Sequence, residues 1–399
     1  MDWDAMRARF HLPKGVIYLD GNSLGPVPIA TADRVRRVIE DEWGDLLIRG
    51  WNEGAEGAGW MGWSTRLGDR IGRLIGAPPG TVSVGDTLSI KVHQALAAAL
   101  EMRPERRVIL SDTGNFPTDL YMAEGLIASL ARGHELRVVA PEDVAAAIGD
   151  DVVVMMLTQV DYRTGRMHDM ADLTARAHDA GALALWDLAH SVGAHEVDVT
   201  AARADFAVGC TYKYLHAGPG APAFIHVRPD PIARVRPALS GWLGHAEPFA
   251  FEPSYRPGAG IERMRVGTPP VLQLAALEAA LDVWDDVDMA TLRARSLELS
   301  ERFAAGVAAR CPGLEPALPP DAPRGSQISF RHPEGYAIMQ ALIARGVIGD
   351  FRSPDILRFG FTPLYLSSGD VDAAIAHLAA VLDAREWDDP RHKVRAAVT

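Results

Sequence analysis

After residue 63 the chain is patterned in short alternating units. Runs of β-branched and other apolar residues fall at 108–111, 136–140, 152–157, 182–187, 206–211 and 223–227. They are interleaved with stretches at 65–75, 88–101, 118–131 and 171–180 in which apolar residues recur every three or four positions. The first pattern predicts strands and the second amphipathic helices. The run Val152-Val153-Val154-Met155-Met156-Leu157 is apolar at every position, as a strand covered on both faces requires. Alternation of this kind predicts an α/β fold, a large domain whose mixed, mostly parallel sheet is flanked by helices.

The two ends differ in texture. Residues 1–63 read as an arm, a turn at Asp20-Gly21-Asn22-Ser23-Leu24-Gly25-Pro26, a helix over 31–48, and a Gly- and Trp-rich loop over 50–63. A loop carrying Trp51, Trp60 and Trp63 is expected to pack on the small domain, a partner subunit or a pocket. Beyond about residue 284 a long helix (290–309) leads to a strand (327–331), a helix (336–345), a β-rich segment (347–361) and a last helix (371–383). The expected division is an arm at 1–63, a large ligand-binding domain at 64–284 and a smaller α+β domain at 285–399.

Composition narrows the function classes. The 399 residues are 48% hydrophobic and 23% charged, which suits packed cores and argues against disorder. A formal net charge of −12 without a Lys/Arg cluster argues against nucleic-acid binding. Two cysteines, Cys210 and Cys311, make no disulfide framework and favour a reducing compartment. No Cys or His pair has metal-site spacing, so no metal is expected. MDWDAMRARF lacks the apolar core of a signal peptide, and no apolar run approaches the ~18 residues of a membrane span. A cytoplasmic protein without membrane or nucleic-acid partners is expected.

Ligands of open α/β sheets bind beyond the carboxyl ends of the strands. The 182–187 run ends at Asp187, and His190 follows three residues later. The 206–211 run leads into Tyr212-Lys213-Tyr214 and then His216-Ala217-Gly218-Pro219-Gly220. Lys213 alone reads first as a lysine snorkelling to the surface. With a strand-end aspartate upstream it suits pyridoxal phosphate (PLP) chemistry, which needs a desolvated lysine amine and a carboxylate on the pyridine nitrogen. Asp187 also reads as a helix cap. His190 either hydrogen-bonds Asp187, packs beside a cofactor ring or is a satisfied core histidine. Gly85-Asp86-Thr87-Leu88-Ser89 offers a phosphate N–H groups and hydroxyls at a helix start, or is a plain N-cap. Tyr212 could add a phenol. Phe116, in Gly114-Asn115-Phe116-Pro117-Thr118-Asp119, is placed to stack on a ring or to fill a core.

Together these segments resemble the kynureninases, fold-type-I PLP hydrolases of the aspartate-aminotransferase superfamily. The resemblance runs from Leu19-Asp20-Gly21-Asn22-Ser23-Leu24-Gly25 to Arg358. It includes Phe116-Pro117-Thr118-Asp119, Thr164-Gly165, Tyr212-Lys213-Tyr214 and Pro363-Leu364-Tyr365. The Asp…Lys pair indicates only the superfamily. Asp187-Leu188-Ala189-His190 and Gly241-Trp242-Leu243-Gly244-His245 point to kynureninase.

The resemblance implies pyridoxal 5'-phosphate carried on Lys213, with Lys213, Asp187 and Tyr212 catalytic. Leu88, Ser89 and Tyr212 would hold the phosphate. Phe116 would stack on the ring, with Pro117, Thr118 and Asp119 beside it. Thr158 and His190 would line the cofactor, and Asp187 would meet the pyridine nitrogen. Trp242 and Thr268 would reach the phosphate from the neighbouring subunit of a homodimer. Arg358 would clamp the α-carboxylate of an amino-acid substrate bidentately, with Ser23 and Trp51 in the same site. Thr268 stands where Asn is common in the family and Ser89 where Thr is common, both retaining a polar group. Trp51 follows Gly50 where animal forms carry His, which implies a preference for kynurenine over its 3-hydroxy form. The implied reaction is L-kynurenine plus water to anthranilate plus L-alanine, in tryptophan degradation.

Rival readings share the fold. A cysteine desulfurase needs a nucleophilic cysteine on a mobile loop, and neither Cys210, in a strand, nor Cys311, at a helix end, suits that role. An aminotransferase is not separated by physics alone. A non-catalytic regulator would carry an added DNA-binding segment, and none is evident.

Overall fold

The computed structural model describes residues 1–54 and 59–395; positions 55–58 of the predicted Trp-rich loop lie outside the described residues. The arm supplies a two-residue strand, β1 (Ile17–Tyr18). Seven strands follow: β2 (Val82–Val84), β3 (Val108–Asp112), β4 (Glu135–Val139), β5 (Val152–Thr158), β6 (Leu183–Asp187), β7 (Phe206–Gly209) and β8 (Phe224–Val227). They form one sheet in the order β2-β8-β7-β6-β5-β3-β4. The pairs from β7 to β4 are parallel, while β8 runs antiparallel to both β7 and β2. The predicted mixed, mostly parallel sheet is therefore present.

Alternate side chains of this sheet enter two separate cores, as a strand's period of two demands. Ile109, Met156, Leu185 and Val208 pack with Val92, Leu96 and Ala99 of the helix Leu88–Met102. Leu110, Leu157, Trp186 and Ala207 face the opposite core with Leu67 and Ile71 of the helix Trp63–Ile75. Both faces being covered, every residue of β5 is buried. Register then sets the carboxyl ends side by side: Thr158 pairs with Asp187, and Asp187 with Val208.

The C-terminal part adds β9 (Glu315–Pro316), β10 (Gln327–Arg331), β11 (Val347–Ile348), β12 (Asp350–Arg352) and β13 (Ile356–Gly360). Four of these make an antiparallel sheet in the order β12-β13-β10-β9. Phe303 of the helix Met289–Arg310 packs its ring against Phe330, Phe359 and Phe361. The fifth, β11, pairs in parallel with β1, and Gly360 N–H donates to the Leu19 carbonyl at 2.7 Å. The arm is thus stitched onto the end of the chain.

Three local expectations change. The predicted helix over 31–48 is α-helical only over Ala30–Arg37, becomes π-helical over Val38–Leu46 and tightens to a 3-10 turn over Leu47–Trp51. The wider segment carries a buried carboxylate, Glu42, which accepts from Arg34 Nη1 at 2.9 Å and the Trp60 indole at 2.7 Å. β2 is too short for periodicity to reveal, and β7 ends before Cys210, freeing the chain to turn into the site. Among the described residues no helix is long and apolar enough to cross a membrane.

Gly68 sets the approach of the helix Trp63–Ile75 to β2. A Cβ there would lie 2.1 Å from the Val82 carbonyl oxygen, which is backbone and cannot swing aside. Gly68→Ala is expected to destabilise the protein by about 2 kcal/mol or more, read as a lowered denaturation midpoint.

Candidate active site

At the shared carboxyl edge of β5, β6 and β7, three segments deliver charged groups to one place. Asp187 closes β6, and its Oδ1 accepts the Ala189 N–H at 2.8 Å. Asp119, in the first turn of the helix Pro117–Leu130, hydrogen-bonds the Asp187 carboxyl. Both residues are buried. Burial raises both carboxyls above the ordinary range, and the neighbouring Asp187 charge pushes Asp119 further. The Lys213 charge draws both groups back toward ionisation. The Thr158 hydroxyl lies within hydrogen-bonding reach of Asp187 and of Asn115 Oδ1.

Lys213 follows from the early end of β7. Its Nζ lies 2.9 Å from His190 Nε2, and 5.9 Å from the ring centroids of both Phe116 and Tyr212. His190 thus meets the lysine and not Asp187. Burial, and then the Lys213 charge, push the imidazole well below its usual range. A neutral His190 adds no second cation beside the amine. The Tyr212 phenol is raised by Cys210 and by burial, so it stays protonated.

A second cluster faces the same space from the small sheet. Arg358 on β13 is 1% exposed. Its Nε donates to Asp350 Oδ1 at 2.7 Å, and its Nη2 to Asp350 Oδ2 and to Ser23 Oγ. Its Nη1 donates to the Tyr162 carbonyl. Tyr162 in turn packs edge-on against Phe116, with ring centroids 5.1 Å apart. Arg358 is therefore engaged on every nitrogen, and a bidentate carboxylate must share or displace Ser23 and the Tyr162 carbonyl. Arg352, one residue beyond Phe351, adds a second guanidinium on Asp350 at 2.6 Å and Ser23 at 3.1 Å.

The sequence residues thus divide. Lys213, Asp187, Tyr212, Phe116, Asp119, Thr158 and His190 come together. Pro117 and Thr118 open the helix beside them, with Pro117 in its first turn. Leu88 and Ser89 begin the helix Leu88–Met102, whose N-cap, Thr87, makes no side-chain cap bond. Ser23 and Arg358 meet in the second cluster. Trp242 and Thr268 lie apart on an exposed ridge, tied by a Leu243 N–H to Val266 carbonyl bond of 3.2 Å. Trp51 packs edge-on against Trp60 at 5.6 Å and touches neither cluster in any described contact. Asn115, Tyr162, Asp350 and Arg352 escaped the sequence reading. Alternation along Asp350-Phe351-Arg352, which sets both charges on one strand face, is the signal that carried two of them.

Comparison with known proteins fits this geometry. A family model described as the kynureninase C-terminal domain matches residues 292–378. Kynureninase from Pseudomonas fluorescens is 52% identical over 402 residues, covering 99% of this chain and 96% of its own. Kynureninase from Burkholderia pseudomallei (strain 1106a) is 52% identical over the same shares. The chain belongs to the kynureninase family. Kynureninase architecture here is that of fold-type-I PLP enzymes. The apo cysteine desulfurase of Thermococcus onnurineus superposes with a TM-score of 0.80 at 17% identity, covering 96% of this chain and 98% of its own. A C-DES mutant with glycine covalently linked to its PLP cofactor gives a TM-score of 0.80 at 18% identity, covering 94% and 98%. At that identity the likeness concerns the fold alone.

The residues present fit PLP. The buried Asp187 carboxyl, hydrogen-bonded by Asp119 and close to Lys213, suits a pyridinium N–H. The uncapped N–H groups at Leu88 and Ser89 suit a phosphate.

Asp20 borders the second cluster, and burial beside Asp350 pushes its carboxyl up to about 7. A folded value above the unfolded one favours the protonated native state. Its stabilisation is complete below about pH 4 and is lost as pH rises through 7. Asp20→Asn removes this dependence. The variant's melting midpoint, relative to the unmodified protein, is expected to be more favourable above about pH 8 than below about pH 5.

Proposed function

We infer that this chain hydrolyses the Cβ–Cγ bond of L-kynurenine, giving anthranilate and L-alanine, with PLP carried on Lys213. The observation that carries this reading is the Lys213 amine set over a buried Asp187–Asp119 carboxyl pair, in a chain 52% identical to kynureninases along nearly its full length.

When bound, PLP supplies the electron sink for negative charge that develops on the substrate carbons. Asp187, with Asp119 behind it, holds the proton on the pyridine nitrogen that makes the sink effective. Phe116 would lie against the ring, beside Lys213 and Tyr162. Lys213, once free of the cofactor, removes the Cα proton, and the neutral His190 keeps that amine from facing another cation. Arg358 and Ser23 orient the substrate carboxylate, so that the Cα–H bond points toward the lysine. Water adds to the γ-carbonyl, the Cβ–Cγ bond breaks, and its carbonyl side leaves as anthranilate. The protonated Tyr212 phenol is the donor suited to returning a proton to the alanine side.

Further parts of the reading rest on the resemblance, with support from geometry. Residues 64–284 are assigned as the cofactor domain, 285–399 as the small domain, and 1–63 as an arm serving both. A homodimer is supported by the exposed Trp242–Thr268 ridge, and by exposed Leu24, Val27, Ile29, Ile39, Trp43, Leu47 and Ile48 within one segment. In that dimer Trp242 and Thr268 would serve the partner's cofactor phosphate. Trp51 remains assigned to substrate selection. A reducing compartment, the cytoplasm, is supported by the two free cysteines.

Purified protein supplied with PLP is expected to be yellow and to release fluorescent anthranilate and alanine from kynurenine. Lys213→Ala is expected to release none. Asp187→Ala should lose about a hundredfold or more in turnover. Yellow protein that yields no anthranilate would remove the hydrolase and leave the cofactor. Separately, kcat/KM is expected to be higher for kynurenine than for 3-hydroxykynurenine; the reverse order would remove Trp51 from substrate selection.

A further inference from the structure

Lys91 is a charged group that the reaction above does not use. It lies in the second turn of the helix Leu88–Met102 and is 1% exposed. Its Nζ contacts Asp86 Oδ2 at 3.1 Å, Gln94 Oε1 at 3.1 Å and the Met264 carbonyl at 3.5 Å. Gln94 Nε2 donates to the same Met264 carbonyl at 3.1 Å. A buried ammonium is expensive unless it is paired, and Asp86 is the carboxylate that pairs with it. Arg265 stands close enough to oppose the lysine's charge, while burial is the larger influence lowering its affinity for a proton.

The partner of this lysine is itself unusual. Asp86 adopts φ +57, a left-handed conformation that aspartate enters more readily than most side-chain-bearing residues but still uncommonly. A conformation of this kind persists where the surroundings support it. Its neighbours supply part of that support, since Gly85 N–H donates to the Ala223 carbonyl and Ala223 N–H donates to the Asp86 carbonyl, both at 2.9 Å. The Lys91 ammonium also holds the Asp86 side chain, through the 3.1 Å contact. The kink at Asp86 sets the direction in which Thr87, Leu88 and Ser89 enter the helix, and so where their free N–H groups point. The other end of the tether, Met264, lies four residues before Thr268.

We propose that Lys91 is a positioning residue for the cofactor phosphate, holding the Asp86 kink that aims the Leu88–Ser89 N–H groups and anchoring the segment that carries Thr268. The proposal rests on the PLP reading above. The lysine acts through Asp86 and Met264, and it does not touch the phosphate.

The test uses the holoenzyme and follows loss of the yellow band on dialysis, with the phosphorus NMR shift of bound PLP as a second readout. Lys91→Met keeps the bulk and removes the charge. It is expected to release PLP about tenfold faster or more, and to move the phosphorus resonance. At saturating PLP it should keep most of its kcat. Asp86→Asn should also release PLP faster. The double variant should be no worse than Lys91→Met alone, because both substitutions break the same tether. PLP release from both single variants within about twofold of the unmodified protein would overturn the proposal. So would a lowered melting midpoint of the apo form with an unmoved phosphorus resonance, since that marks a packing role alone. An unmodified protein that never turns yellow would remove the PLP reading itself, whereas a yellow protein with unaffected variants removes only the role of Lys91.

Discussion

The site depends on two carboxyl groups sharing one dry place. Asp119 and Asp187 are both buried and hydrogen-bonded to each other, and two negative charges at that spacing cannot both persist. The surrounding structure reads as a set of answers to this constraint. The β5–β6 register sets Thr158 against Asp187, the Ala189 N–H caps one oxygen, and β7 stops early so that Lys213 can turn in. A protonated nitrogen heterocycle would suit the arrangement, because it would bring a positive charge and an N–H donor to the pair. The same carboxyl pair that would burden an ordinary core is, in the proposed reading, what keeps a cofactor ring protonated.

Much of this was legible along the chain because the chemistry sits at strand ends. Asp187 and Lys213 each close an apolar run, and a carboxyl edge is where an open α/β sheet binds its ligand. What the sequence could not convey was which groups meet across elements. Asp119 read as a residue beside Phe116, yet its carboxyl is spent on Asp187. His190 meets Lys213, a contact that none of its readings had named. Arg358 looked like a free clamp, whereas the fold surrounds it with Asp350, Ser23 and the Tyr162 carbonyl. The π-helical stretch at Val38–Leu46 escaped for a different reason. Its apolar spacing passes for an α-helix, and only the tertiary pull of Arg34 and Trp60 on Glu42 accompanies the wider turn.

The likeness to cysteine desulfurases shows how little the scaffold alone decides. Those enzymes superpose over nearly the whole chain at under one fifth identity. In this chain both cysteines are buried, and burial pushes the Cys311 thiol up to about 11, which leaves little thiolate at neutral pH. What this chain adds to the fold is the set of groups that line the space above the sheet edge. Here these are a guanidinium cluster on β12 and β13 and a protonated phenol at Tyr212.

The pairing of β1 with β11 joins residue 17 to residue 347, and Ser23 meets Arg358 across almost the same interval. A ribosome must therefore deliver nearly the whole polypeptide before the carboxylate pocket can exist. The strands around Asp187 and Lys213 emerge much earlier and can assemble on their own schedule. A nascent chain would first hold the strand ends that carry Asp187 and Lys213, and only later the guanidinium cluster that faces them.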